Sequence, residues 1–289
     1  MHNMTLFYEP WLQFKHPIVR QLAFSIASPN ILKSLPPELE IQYYFELHQD
    51  QFWQDHFSRY IHRLVHLDQN PTELIAFLKP LKSTRLGLRF EHLIWFWLQD
   101  ADYHHFQLLG HSIQIIEGKS TLGELDFLIL NLETNSIEHW EVALKFYLAE
   151  ADLLLQHWYG LNRSDTLLRK LNHFTQKQFQ FKQVQQHKIQ KRFAVLKGQL
   201  YIPKQIDDTL NHFDALPNWI NSSRRIGHWG NSSLKHYYRV QRQEWICPNL
   251  EQSSRDATYW QSGLYRNFAT QVDYMFRQAE ISHSCVRVM

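Results

Sequence analysis

Near residue 112 the spacing of apolar residues changes from the period of a helix to that of a strand. Before this point, Arg85–Asp100 carries an apolar stripe at helical spacing and predicts one long helix, which bears Glu91. After it, Ser112–Ile115 alternates, and Leu125–Leu130 is a short apolar run typical of a strand covered on both faces. His139–Phe146 predicts a third strand.

The short connections between these strands predict an antiparallel meander, with turn residues at Asn131–Ser136. If the hairpin turns there, Asp126 lies opposite Ala143, to within one residue. Glu141 and Lys145 are then its diagonal neighbours, roughly 7–8 Å away between Cα atoms. Two acids and a lysine therefore converge on one patch of an otherwise apolar sheet.

Charged side chains in such a sheet must be paired, hydrogen-bonded or bound to metal, because burying an unpaired carboxylate is costly. Two carboxylates with nearby backbone carbonyls form a hard-oxygen site suited to Mg²⁺ or Mn²⁺. Such an ion polarises a phosphodiester and acidifies a bound water, while a neighbouring lysine stabilises charge on the phosphate. The alternative is a structural salt bridge in which Lys145 neutralises Asp126 and Glu141, and the spacing is compatible with both.

Further helices and one further strand are predicted around these three strands. On the N-terminal side, Val19–Ile26 and Gln51–Leu67 have helical spacing. On the C-terminal side, a helix is predicted over Thr166–Lys188 and a strand over Arg192–Ile202, with Gly198 as a turn or bulge. The remainder mixes helix-like and turn-rich pieces.

Composition narrows the classes of protein that are compatible with the sequence. With 44% hydrophobic and 15% aromatic residues, the chain can bury a sizeable core, and long disordered stretches are not expected. The formal net charge of +2 does not by itself imply a nucleic-acid partner. Two cysteines, Cys247 and Cys285, are too few for a disulfide framework. With neither a secretory signal nor a membrane-spanning apolar run, the protein is expected to be cytoplasmic and not membrane-bound.

Outside the strands, a few basic residues are candidates for contacting nucleic acid. Glu117–Thr121 resembles the end of a phosphate-binding P-loop, but Ile113 stands where that motif needs glycine, which excludes an NTPase. Lys119 in this loop is still a candidate for contacting a nucleic-acid phosphate, as are Arg224 and Arg225. A solvated surface is the alternative interpretation of each.

The order of the elements resembles the core of the PD-(D/E)XK nucleases. In this chain the order is a helix with Glu91, a strand with Gly-Glu-Leu-Asp at 123–126, a strand with Glu-x-x-x-Lys at 141–145, then a helix and another strand. More narrowly, Leu122–Phe127 and Glu141–Tyr147 resemble an uncharacterised bacterial domain-of-unknown-function family placed in that superfamily. The resemblance implies a restriction-endonuclease-like α/β fold, with a central mixed sheet flanked by helices, and a divalent-metal phosphodiesterase site.

Carried over by position, the resemblance implies that Asp126 ligates the metal, that Lys145 is the lysine of the third strand and that Glu91 assists the metal or its water. One position departs from the superfamily pattern, because Ala143 stands where the second acid is usual. Glu141 has the same strand face but lies about 13 Å from Lys145 along an extended strand. The departure leaves open whether the site is active.

The implied organisation is a helical N-terminal extension over 1–84, a PD-(D/E)XK-like core over 85–203, and a helical C-terminal extension over 204–289 packed on the core. The expected function is Mg²⁺- or Mn²⁺-dependent hydrolysis of phosphodiester bonds in DNA or RNA. The alternative is a catalytically inactive nuclease-like fold that binds nucleic acid or protein. The sequence does not indicate an oligomeric state.

Overall fold

The computed structural model describes residues 7–204 and 216–278, which form an α/β fold with a large mixed sheet flanked by helices. The α-helices are α1 (Pro17–Ala27), α2 (Asp50–Gln69), α3 (Thr72–Leu78), α4 (Leu86–Gln99) and α5 (Leu167–Gln176). The strands are β1 (Phe106–Glu117), β2 (Ser120–Asn131), β3 (Ser136–Ala149), β4 (Trp158–Tyr159), β5 (Gln183–Val184), β6 (His187–Lys188), β7 (Lys191–Pro203), β8 (Gly227–Gly230), β9 (Tyr237–Arg239), β10 (Gly263–Asn267) and β11 (Val272–Phe276). In the described part of the chain, no helix has both the length and the apolar character needed to span a membrane.

The large sheet has the strand order β1-β2-β3-β7-β8-β11-β10-β9, and β4 pairs with the end of β3. The β1-β2-β3 and β11-β10-β9 segments are antiparallel, whereas β3, β7, β8 and β11 run parallel to one another. The parallel strands β3 and β7 lie inside the sheet with both faces covered, as parallel pairing generally requires. The β5–β6 hairpin is separate.

Alternate residues of β3 face two different apolar cores. Val142 and Leu144 pack in the core that contains α1 to α4, while Ala143 and Tyr147 pack in the core that contains α5. Because successive side chains of a strand point to opposite faces, β3 must be apolar on both sides. A charged residue on this strand therefore enters a largely apolar setting.

Several predicted elements are confirmed. The helix over Arg85–Asp100 is α4, and the first three strands form the predicted antiparallel meander. The fourth strand is β7, but Gly198 is not a turn or bulge in it. Gly198 pairs with Lys145 in an unbroken register, and its φ of 123° is a backbone conformation open mainly to glycine.

The register of the β2–β3 hairpin differs from the predicted one by two residues. Asn131 pairs with Ser136, so the loop between them has four residues instead of six. The side-chain oxygen of Asn131 accepts hydrogen bonds from two backbone N–H groups of that loop and so closes it. The same register places Asp126 level with Glu141 and not with Ala143.

Two predictions about the second half of the chain are wrong. The helix predicted over Thr166–Lys188 ends at Gln176, and a 3₁₀ turn and the β5–β6 hairpin follow it. The helical C-terminal extension is absent from residues 216–278, which form β8 to β11 and one 3₁₀ turn, Arg242–Trp245. Other parts of the extension, with Cys285, lie outside the described residues.

The segment that follows α1 lies against elements from the second half of the chain. The backbone N–H of Ile31 donates to the carbonyl of Leu196 on β7, and Leu32 forms a β-bridge with Ile220. The side chain of Asn30 accepts a hydrogen bond from the N–H of Leu196, 166 residues away. The segment after α1 is therefore held against β7 and against the residues that precede β8.

Buried histidines make this fold sensitive to acid. His56 on α2 is enclosed by rings that include Trp97 and Phe106, and burial, assisted by nearby His105, lowers its pKa to about 3. Burial also lowers the pKa of His48 well below its usual value. Unfolded histidine titrates near pH 6.5, so below about that pH the unfolded chain binds more protons than the folded one, and acid favours unfolding.

We expect the variant His56→Phe to lose less stability in acid than the wild type. Phenylalanine keeps the ring packing but takes up no proton on unfolding. Urea unfolding at about pH 7.5 and about pH 5 should therefore show a loss of stability smaller by about 2 kcal/mol in the variant. His62→Phe, at an exposed position of the same helix, is the control and should behave as the wild type does. The same loss in His56→Phe as in the control would contradict this prediction.

Candidate functional site

The backbone ladder between β2 and β3 ends just before the candidate carboxylates. Beyond the pair of Phe127 and Trp140, side chains replace backbone carbonyls as acceptors. The N–H of Val142 donates to Oδ2 of Asp126 at 2.8 Å, and the N–H of Asp126 donates to Oε1 of Glu141 at 3.4 Å. The two strands diverge here, and the next part of β3 lines a cavity.

Asp126 and Glu141 form a carboxyl pair with raised pKa values. Glu141 is fully buried, and burial raises its pKa to about 8. Burial raises the pKa of Asp126 well above its usual range, and the neighbouring charge of Glu141 raises it further. Glu141 also accepts the backbone N–H of Asp126, and two adjacent carboxyl groups cannot both ionise cheaply in a buried site. Without a cation, the pair therefore retains a proton at neutral pH.

Three polar side chains surround Glu141. The Nε2 atom of His139 lies 2.7 Å from Oε1 of Glu141, and the side-chain amide of Gln178 donates to Oε2. Lys170 on α5 donates in turn to Oε1 of Gln178 at 3.0 Å. Burial lowers the pKa of Lys170, and the charges of Glu141 and Asp126 oppose that lowering. Lys170 is thus a cation that stabilises the carboxyl pair.

Lys145 forms an ion pair with Asp165 and not with the carboxyl pair. Its Nζ donates to Oδ2 of Asp165 at 2.7 Å, and the hydroxyl of Tyr147 approaches the same carboxylate. The ion pair is partly exposed, since the two side chains retain 26% and 42% of their accessible surface. The structure therefore pairs Lys145 with Asp165, and not with Asp126 and Glu141 as in the structural-salt-bridge interpretation of the sequence.

Glu91 on α4 belongs to the same region. Its Oε1 lies 2.8 Å from Nε2 of His111 on β1, and its charge raises the pKa values of both Asp126 and Glu141. Glu91 also lines the cavity beside β3. The helix glutamate, the two strand carboxylates and Lys170 are therefore brought together by four different elements.

The cavity beside β3, here called the central cavity, has a volume of about 560 Å³. It lies between the start of α4, the diverging part of β3, the loop before α5 and the 3₁₀ turn after β9. Neither Asp126 nor Glu141 lines this cavity, but Asp126 accepts a hydrogen bond from the N–H of Val142, which does. Its charged lining side chains are Arg85, Glu91, Lys145, Asp165, Lys170 and Arg242.

The carboxyl pair fits some metal ions better than others. Among residues 7–204 and 216–278, no three His, Cys, Asp or Glu side chains are grouped so that they could hold a metal ion. Structural zinc sites need four protein ligands, but Mg²⁺ is commonly held by one or two carboxylates, with water and substrate phosphate in the remaining positions. Asp126 and Glu141 offer hard oxygen ligands of the kind that Mg²⁺ takes, but both oxygens of the buried Glu141 already lie within hydrogen-bond distance of protein groups.

The other predicted nucleic-acid contacts do not line the central cavity. Lys119 is exposed at the turn between β1 and β2. Arg224 is buried and donates to the carbonyl of Gly198, and both Arg224 and Arg225 form ion pairs with Glu9.

A protein-family model described as a domain of unknown function, DUF1853, matches residues 20–284. The chain belongs to the DUF1853 family. No curated protein and no solved structure matches it significantly. The DUF1853 match extends from α1 past β11, so the carboxyl pair, the central cavity and the C-terminal strands all lie within the family's domain. The predicted membership of a domain-of-unknown-function family is thereby confirmed.

Lys170 is a residue of the candidate site in this DUF1853 chain that the sequence analysis did not identify. It lies on α5 among the buried residues Leu167, Leu171 and Phe174, at the spacing of one helix face. A lysine within such an apolar stripe is the signal that was available, because a buried ammonium group needs an anionic partner. The identity of that partner depends on how α5 packs on β3, which the local pattern does not contain.

We expect Lys170→Met to destabilise the DUF1853 protein by about 2 kcal/mol, because it removes the charged hydrogen bond to Gln178 and the cation near the carboxyl pair. Millimolar Mg²⁺ should restore part of this loss by supplying positive charge to Asp126 and Glu141. Urea unfolding with and without Mg²⁺ measures both effects. The control Lys145→Met removes a partly exposed ion pair and should cost less than about 1 kcal/mol. Equal losses in the two variants, or no response to Mg²⁺, would argue against this role.

Proposed function

We propose that this protein is a divalent-metal-dependent nuclease of the PD-(D/E)XK type. The observation that carries the proposal is the Asp126–Glu141 pair, two buried carboxyl groups with raised pKa values at the point where β2 and β3 diverge. Perturbed carboxyl groups beside a cavity are characteristic of functional sites. The mixed sheet and the order of Glu91, Asp126 and Glu141 along the chain add support.

The observed register supports Glu141 as the second acid in spite of Ala143. In the predicted register Glu141 was a diagonal neighbour of Asp126, but in the structure it lies level with Asp126 and accepts a hydrogen bond from its backbone N–H. The distance along the strand between Glu141 and Lys145 then matters less, because Lys170 places an ammonium group near the pair.

Each residue takes a role that follows from its position. Asp126 and Glu141 would hold Mg²⁺ or Mn²⁺ and release their shared proton on doing so. The ion, when bound, polarises the phosphodiester and lowers the pKa of a coordinated water. Lys145 and Lys170 line the central cavity and stabilise the charge that develops on the phosphate. Glu91, oriented by His111, orients the attacking water at the cavity wall.

The test is cleavage of a panel of single- and double-stranded DNA and RNA, with Mg²⁺ or Mn²⁺, by the wild type and by Asp126→Ala. Cleavage by the wild type that is abolished by EDTA and by the substitution supports the proposal. Calorimetry should show metal binding to the wild type and its loss in the variant. Absence of both cleavage and metal binding would overturn the proposal and favour the alternative, an inactive nuclease-like fold that binds nucleic acid or protein.

A further inference from the structure

Two further cavities extend the central cavity in opposite directions. Towards α5, a cavity of about 480 Å³ shares Asp165 and Lys170 with it. In the other direction, a cavity of about 550 Å³ shares Leu161, Arg242 and Trp245 with it. Because the central cavity shares lining residues with each of the other two, the three adjoin one another and are here together called the basic groove, with the central cavity in the middle.

The basic groove concentrates positive charge. Seven Lys or Arg side chains and two Asp or Glu side chains line it, although the formal net charge of the entire chain is only +2. Arg169 and Lys177 are exposed at the α5 end, and Arg239 and Arg242 are exposed at the other end. The rest of the chain is therefore net acidic, and a polyanion is attracted to this groove more than to other surfaces.

Arg242 is also positioned to contact a flat ligand. Its guanidinium group lies over the ring of Trp245, 4.1 Å from the ring centroid, and Trp245 packs edge-on against Phe146. Trp245 is only 8% exposed, so the accessible face of this stack is the guanidinium plane. Nucleic-acid bases stack on such planes when they are unpaired. The stack stands where the central cavity joins the cavity beside β9.

We infer that the basic groove binds a single strand of nucleic acid, a specification that rests on the proposed function. The strand's phosphates contact the basic side chains at both ends, and one base stacks on Arg242. A single strand fits better than a duplex because each section of the groove has the volume of a small-molecule pocket, and because the base must be unpaired to lie flat on the guanidinium group.

The experiment is fluorescence anisotropy with a labelled oligothymidylate and with the same strand annealed to its complement, in EDTA, over a range of salt concentrations. The wild type should bind the single strand more tightly. The pairs Arg169→Glu with Lys177→Glu, and Arg239→Glu with Arg242→Glu, should each weaken binding at least about tenfold. Each pair should also reduce the salt slope by about 1.4, the expectation for two lost phosphate contacts on a single strand.

Two further variants show whether the loss of binding comes from lost charge, from lost stacking on Arg242 or from a nonspecific effect of charge reversal. Arg242→Lys retains the charge but lacks the plane, so it should weaken binding about threefold to tenfold with the salt slope unchanged. The pair Lys33→Glu with Lys79→Glu changes exposed lysines that do not line the basic groove and should bind as the wild type does.

Equal binding of duplex and single strand, or equal weakening by the groove pairs and the control pair, would overturn the inference. Its failure is distinguishable from failure of the proposed function because binding is measured without metal and without turnover. A wild type that binds the strand in the basic groove but never cleaves it supports this inference and overturns the nuclease. If the wild type cleaves nucleic acid but the groove variants bind the strand as tightly as the wild type does, the nuclease is supported and this inference is overturned.

Discussion

Asp126→Asn is expected to lower the metal-dependent cleavage rate at least about a thousandfold, equivalent to about 4 kcal/mol of transition-state stabilisation, while the protein stays folded. Asparagine retains an oxygen that can accept the hydrogen bond from the N–H of Val142. It removes the negative charge that a dication requires. The loss of activity is therefore a loss of metal binding and not of structure.

A measurement of the stability of Asp126→Asn distinguishes loss of metal binding from loss of the fold. The charge of Glu141 is one of the causes that raise the pKa of Asp126, and removing one of the two carboxyl groups relieves this repulsion. Without metal, the variant should therefore lose at most about 1 kcal/mol of unfolding free energy relative to the wild type, as measured by urea unfolding. Asp152→Asn, at an exposed carboxylate that contacts His157, is the control and should retain full activity. Substantial cleavage by Asp126→Asn, or its unfolding, would contradict this account of the site.

Gly198→Ala is expected to destabilise the protein by about 4 kcal/mol or more, because it combines a steric clash with backbone strain. A Cβ atom at this position would lie 1.9 Å from the carbonyl oxygen of Lys145. The backbone φ of 123° is also unfavourable for any residue with a side chain. Since β3 and β7 are paired along their whole length here, neither strand can shift without breaking the ladder.

Gly87→Ala provides the matched control for this effect. Gly87 lies in the first turn of α4, and a Cβ atom there would meet no other atom within 4 Å. Alanine should therefore be neutral or stabilising by up to about 1 kcal/mol. Urea unfolding compares the two variants directly, and a similar stability for both would contradict the close approach of β7 to Lys145. If Gly198→Ala folds at all, displacement of Lys145 should also lower cleavage.

The elements that could be predicted from the sequence are those that contain a long apolar pattern within their own residues. Helix α4 and strands β2 and β3 are of this kind, because each has at least twelve residues and a run of buried apolar side chains. The register of β2 against β3 was harder to predict from the sequence. It depends on whether Asn131 belongs to the turn or to the strand, and its side-chain hydrogen bonds to the loop decide this.

The C-terminal strands and Lys170 depend on contacts between distant parts of the chain. Strands β8 to β11 have three to five residues each, too few to show an alternating pattern, and they exist through pairing with β7 and with each other. Lys170 is placed near Asp126 and Glu141 only because α5 packs across β3. The two carboxylates could be selected from the strand pattern, whereas the cation that accompanies them could not.

The contact between the segment after α1 and the second half of the chain has a consequence for synthesis. Asn30 and Ile31 find their partners on β7, and Leu32 finds its partner at Ile220. Contacts so distant in sequence slow folding, because a long loop must close before they form. Helix α1 packs mainly against α2 and α4, which leave the ribosome early. Residues 30–32, in contrast, lack their partners until β7 and Ile220 have been synthesised, so this segment docks late in folding.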